Sequence, residues 1–216
     1  MYLSKLTLDP RSRQVRSGLS NPYELHRTLM RAFPSAEGGG PGRVLFRLET
    51  PIRSAQTGLI LLVQSEKEPD WPKLGSPNGY HLPDGPNNPK AFNPTFRPGQ
   101  RLLFRLRANP TVKRYCAAKD CSKRVGLLKE EEQRRWLDRK AEEGGFKVLA
   151  ANVTSEGKIG GKIRQPDQKT HDLCLLAVRF DGLLQVADPD RFLAALQKGV
   201  GSGKGLGFGL LSLAPA

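Results

Sequence analysis

Apolar positions recur along this chain in two alternating rhythms. From Tyr2 to Leu8 polar and apolar residues alternate, the period of a half-buried strand. From Ser20 to about Phe33 the spacing changes to that of a helix, with Leu25 and Leu29 on its inward face and Ala32 and Phe33 beside them. The start of that helix is marked chemically: Asn21 at the cap, Pro22 at the first helical position and Glu24 three residues after the cap. Gly38-Gly39-Gly40-Pro41-Gly42 breaks the pattern. Alternation returns from Arg43 to Glu49, with Val44, Phe46 and Leu48 on one face. Gly58 to Gln64 is a continuous apolar run and predicts a more buried strand.

Residues 66–99 hold eight prolines among Asn and Gly and read as an irregular connection. A second unit follows. Arg101 to Arg107 predicts a strand with Leu102, Phe104 and Leu106 inward and Arg101, Arg105 and Arg107 outward. Lys123 to Leu128 is a candidate short strand. Lys129 to Glu143 predicts a helix opened by three glutamates, which suit the positive end of its dipole, and Gly144-Gly145 ends it. Phe146 to Val153 is a strand. Leu173 to Phe180 and Leu183 to Ala187 flank Asp181-Gly182, a hairpin signal. Asp188 caps a short helix to Lys198, and Leu206 to Leu213 predicts the last strand. Each half runs roughly strand, helix, strand, strand, then helix and strand, the first with a degenerate second helix. That order predicts an α+β fold of two tandem ferredoxin-like, RNA-recognition-motif-like domains, over residues 1–90 and 91–216.

Composition sharpens this picture through charge. The 216 residues carry 35 Lys+Arg against 21 Asp+Glu, a formal net charge of +14 and a pI near 10.0. Such a surface draws polyanions. The longest apolar run, Leu59 to Val63, is far short of the ~20 residues a spanning helix needs. No signal peptide is expected either, so the expectation is a cytoplasmic protein without a membrane partner. Cys116, Cys121 and Cys174 make no disulfide framework and stand at no zinc spacing. Free thiols are expected, with no metal and no small-molecule cofactor.

Of the three histidines, His26 stands out. It lies at the margin of the helix's inward face, and Tyr23, His26 and Arg27 are expected to share one exposed patch on its first turns. Cleavage of RNA by its own 2′-hydroxyl needs this set of groups. A base takes the 2′ proton, an acid protonates the leaving 5′-oxygen, and a cation steadies the phosphorus. Histidine can serve as either acid or base. The bland alternative is a Tyr/His pair serving only as surface. His81 and His171 read as structural or surface residues, and no carboxylate cluster asks for Mg²⁺.

Two further segments invite a polyanion. Gly199 to Gly209 is glycine at every other position, and Lys204 sits within it. It fits neither a Walker loop nor a dinucleotide fingerprint. Its open amides at Gly201, Ser202, Gly203 and Gly205, with Lys204, suit phosphate. The stretch from Glu156 to Lys169 carries Lys158, Lys162, Arg164 and Lys169 among glycines, a mobile basic hairpin suited to a nucleic-acid backbone. Arg27, Arg31, Arg105 and Arg107 complete the candidate RNA contacts.

Several segments resemble the CasE-type CRISPR-associated endoribonucleases, the repeat-processing subunits of type I-E Cascade. They are Tyr2-Leu3-Ser4-Lys5-Leu6, Asn21-Pro22-Tyr23-Glu24-Leu25-His26-Arg27, Glu68-Pro69-Asp70-Trp71, the run from Arg97 to Pro110, and the run from Gly201 to Ser212. The resemblance implies two ferredoxin-like domains. It also implies metal-independent cleavage at the 3′ side of a repeat stem-loop, a 2′,3′-cyclic phosphate product, and retention of the guide RNA among other Cascade subunits. By position, His26 matches the catalytic histidine and Tyr23 its helper. The other reading is a non-catalytic RNA-binding subunit on the same fold.

Overall fold

The computed structural model describes residues 1–35, 37–49, 59–74, 81–83, 89–116, 120–164 and 170–216, without the side chains of 81–83, 116 and 164. Most of the Pro-rich segment 76–90 therefore lies outside the described residues. The chain divides into two compact units. The first holds Met1–Pro94, Gly160–Leu173 and Lys204–Gly207; the second holds Thr95–Ile159, Cys174–Gly203 and Phe208–Ala216.

In the first unit β1 (Tyr2–Leu8) pairs antiparallel with β3 (Leu59–Ser65), which pairs antiparallel with β2 (Val44–Glu49). On its other side β1 takes β4 (His81–Pro83) and the two-residue β5 (Lys90–Ala91). The resulting order, β2-β3-β1-β4, is that of a ferredoxin-like sheet. Register puts Leu6, Leu61 and Leu48 in one row across it. Leu25, Leu29 and Phe33 belong to the same core. A 3₁₀ turn, Trp71–Lys73, stands where the second helix of the fold belongs. Trp71 is buried, its ring edge-on to Phe33 at 5.9 Å, and its Nε1 donates to Ser4 Oγ at 2.9 Å. A buried indole N–H must find such an acceptor.

The helix expected over 20–33 is α2 (Pro22–Met30), and a second one that the sequence reading did not expect, α1 (Arg13–Ser20), precedes it. Asn21 separates them with φ −140° and ψ 103°, extended backbone that no helix carries through. Its side-chain oxygen accepts from Tyr23 N at 3.2 Å, the expected cap.

The second unit repeats the plan. Strands β6 (Arg101–Ala108), β9 (Phe146–Arg164), β10 (Thr170–Val186) and β11 (Leu211–Pro215) form a sheet ordered β11-β6-β10-β9. Helices α3 (Glu130–Glu143) and α4 (Pro189–Lys198) complete it. Leu102, Phe104, Leu106 and Ala108 are buried along β6, as the alternation predicts. Trp136 of α3 stacks on Phe180 of β10, and Phe192 of α4 meets Phe146 edge-on. Between β6 and α3 a two-stranded ribbon, β7 (Thr111–Cys116) and β8 (Cys121–Gly126), is inserted.

Two expectations fail here. Asp181-Gly182 makes no hairpin, because β10 runs unbroken through it. A Cβ at Gly182 would overlap the carbonyl oxygen of Ala150, so the glycine serves close strand approach rather than a turn. Asp181 is likewise no turn residue. It accepts from Arg105 Nε at 2.5 Å and Arg179 Nε at 3.0 Å. The last strand begins only at Leu211, since Lys204–Leu206 forms a 3₁₀ turn.

Candidate active site

Within the first unit three segments distant in sequence meet: α2, the part of the β9–β10 hairpin from Gly160 to Leu173, and the turn Lys204–Leu206. Asn21 joins the first two. While its oxygen caps α2, its Nδ2 donates to the carbonyl of Lys162 at 2.9 Å. Gly161 makes room for this, since a Cβ there would stand 2.7 Å from Asn21 Oδ1. An open groove of about 810 Å³ follows this seam, lined by Ser17, Ser20, Glu24, Arg27, Lys162 and Asp172 among others.

The turn Lys204–Leu206 packs on α2 and β2. A Cβ at Gly205 would lie 3.4 Å from Cε1 and 3.6 Å from Nδ1 of His26. His26 is therefore half-buried rather than part of an exposed patch, and its Nδ1 is sealed from solvent without a hydrogen-bond partner among the described residues. Desolvation lowers its pKa below the ordinary 6.5, because burial penalises the charged form. Tyr23 is half-buried one turn before it on the same helix. Arg27 keeps 60% of its side chain exposed and reaches Glu24 at 3.3 Å, a surface pair worth little. Arg31, Lys158 and Lys162 are exposed. The side chain of Arg164 and the whole of Lys169 lie outside the described residues.

The remaining sequence candidates lie in the second unit and are engaged there. Arg107 Nε donates to Glu156 Oε2 at 2.6 Å, and its guanidinium sits 5.0 Å over the Phe208 ring. Arg105 is held by Asp181, and Arg179 bridges Asp181 and Glu156. Gly201 has φ +84°, and a Cβ there would stand 2.8 Å from Trp136. Ser202 Oγ donates to the Asn109 carbonyl at 3.2 Å. Gly203 packs against Phe208 with φ +76°. Only the later part of the glycine-rich stretch, around Gly205, meets His26. Sequence reasoning missed Asn21's second bond, Gly161, and the acids Glu156 and Asp181. The extra glycine in a basic strand was the one signal available.

Cys121 and Cys174 are free thiols, and no group of three or more His, Cys, Asp or Glu comes together among the described residues. No helix among them is long and apolar enough to cross a membrane.

Comparison with known proteins bears on this arrangement along its full length. The sequence model of a family described as CRISPR associated protein matches residues 1–215. The CRISPR-associated endoribonuclease Cse3 of Thermus thermophilus is 43% identical, with 100% of each chain covered. A structure of Thermus thermophilus Cse3 bound to an RNA representing a pre-cleavage complex superposes with a TM-score of 0.80 at 44% identity, over 99% of this chain and 98% of that one. The CRISPR-associated protein Cas6e of Escherichia coli K-12 gives 0.73 at 29% identity, with both chains fully covered. By family match, full-length identity and shared fold, this chain belongs to the CRISPR-associated proteins, among the CasE-type endoribonucleases.

Proposed function

We propose that this protein cuts CRISPR repeat RNA beside its stem-loop and keeps the product, delivering it into Cascade with the other subunits. The reading places the work in the cytoplasm and asks for neither metal nor small-molecule cofactor, because the nucleophile is the substrate's own 2′-hydroxyl. His26 takes the proton as the 2′-oxygen attacks the adjacent phosphorus. The P–O5′ bond breaks, and Tyr23 supplies a proton to the departing 5′-oxygen. The products are a 2′,3′-cyclic phosphate and a 5′-hydroxyl, with no water consumed. Arg27, Arg31, Lys158, Lys162, Arg164 and Lys204 hold the backbone electrostatically.

The observation that carries this reading is the cover over His26. An imidazole closed off at Nδ1 under Gly205, with its pKa lowered, is neutral near pH 7 and ready to accept a proton. The deciding experiment is cleavage of a labelled repeat stem-loop in excess EDTA, wild type beside His26→Ala, with the product ends mapped. Wild type should leave one cyclic phosphate end. The variant should bind equally and cut about 10²–10⁴-fold more slowly. Equal cutting by both, or cutting only with added Mg²⁺, would remove His26 from the mechanism. Tight binding without cutting by either would make the chain a binding subunit.

A further inference from the structure

Two cysteines stand at the far end of the β7–β8 ribbon. Register places Cys116 directly opposite Cys121, the last pair before the connection between the strands. Directly opposed residues of an antiparallel pair have Cα atoms about 4.5 or about 5.5 Å apart, according to whether they exchange backbone hydrogen bonds. Both values lie inside the roughly 4.4–6.8 Å that a disulfide spans, so the backbone need not move for one to form. The spacing that means nothing for zinc along the chain thus acquires a meaning across the ribbon.

The residues beside the pair hold its two ends together. Tyr115 and Asp120 each precede a cysteine, and the Tyr115 hydroxyl donates to Asp120 Oδ1 at 2.6 Å. Asp120 has a φ of +43°, left-handed backbone at the point where the chain enters β8. Residues two apart share a face of a strand, which puts the exposed Arg114 and Lys123 beside the cysteine pair. Cations there attract an anionic reagent. The rest of the ribbon is weakly held. It has only two strands, and a lone hairpin is marginal in water. Lys113 faces Arg124 and Arg114 faces Lys123, like-charge pairs that oppose strand pairing.

We infer that Cys116 and Cys121 are a reversible dithiol–disulfide pair, oxidised by an anionic low-molecular-weight disulfide such as glutathione disulfide, and that the bond ties the end of the ribbon. One cysteine, as thiolate, attacks a sulfur of the reagent, whose S–S bond breaks and releases a glutathione thiolate. The other cysteine, as thiolate, attacks the protein-side sulfur of this mixed disulfide. The protein S–S bond forms and the second glutathione leaves. The two protons lost by the cysteines go to the two glutathione thiolates. The protein gives up two electrons and the reagent takes them, so excess reduced glutathione reverses the change. Cys174 is the internal control. It is an exposed free thiol on β10, whose neighbours β6 and β9 hold no cysteine, so it can go no further than a mixed disulfide.

The test is equilibration of the full-length protein in buffers of graded reduced and oxidised glutathione, then acid quench, thiol alkylation and mass spectrometry. Cys116 and Cys121 should lose their thiols together, without a retained adduct, at glutathione ratios where Cys174 is still mostly free. Trypsin under non-reducing conditions should release peptide 115–119 joined to peptide 120–123. Cys116→Ser and Cys121→Ser should each stop at one glutathione adduct on the cysteine that remains. Amide exchange within the ribbon should slow about tenfold on oxidation of wild type and stay unchanged in either variant. Cleavage of repeat RNA by the reduced variants should match that of reduced wild type. The inference is overturned if the two thiols titrate independently as Cys174 does, if adducts accumulate on both without ring closure, or if the joined peptides come from covalent dimers. A bond that excess reduced glutathione fails to open would overturn its reversibility. None of these outcomes depends on whether His26 is catalytic.

Discussion

At His26 the imidazole loses water on the side where Gly205 lies, and that loss sets its proton affinity. If His26 is the base, the single-turnover rate should rise about tenfold per pH unit in acid and level off at an apparent pKa below 6.5. A rate that instead falls as pH rises through this range would make His26 the acid. Folding responds in the same direction. The unfolded chain binds this proton more readily than the native protein, so stability is full above about pH 6.5 and declines as pH falls toward the native pKa. Helical periodicity located Tyr23, His26 and Arg27 correctly along α2 but left His26 in the open. An angle on a helical wheel says nothing about which later segment packs over it. Asn21 shows the same limit. Its capping role was legible from Asn-Pro-x-Glu, whereas its bond to Lys162 depends on tertiary folding alone.

Element by element, the alternating strands and capped helices were readable because local sequence determines them: β1, β2, β6, α3 and α4 all stand close to where the pattern puts them. Failures came where a residue type has two uses. Asp-Gly favours a tight turn, but in β10 the glycine admits a neighbouring strand and the aspartate gathers arginines. Gly182→Val should therefore destabilise the fold by about 1–3 kcal/mol through overpacking, visible as a thermal midpoint several degrees lower. An unchanged midpoint would show that β9 yields to a side chain there.

For the whole molecule, the count of 35 Lys+Arg overstates the cations that are free to meet RNA. Arg105, Arg107 and Arg179 share Asp181 and Glu156, and Arg47 lies buried beside Glu49. The exposed cations that remain still predict linear log–log salt dependence for repeat RNA. An interface of six or more phosphates loses about 10³-fold or more between 50 and 200 mM salt. A flat dependence would mean that binding is not carried by the backbone. Two repeats of one plan were legible from element order, but Gly160–Leu173 and Lys204–Gly207 belong to the first unit while coming late in the chain, which no linear reading assigns.

The shared strand order, β2-β3-β1-β4 and β11-β6-β10-β9, has a consequence for descent. It is the arrangement that doubling of one ancestral segment would leave. Both halves carry their addition at the same joint, after the first strand: α1 in one, the β7–β8 ribbon in the other. That joint accepts new sequence without disturbing either sheet.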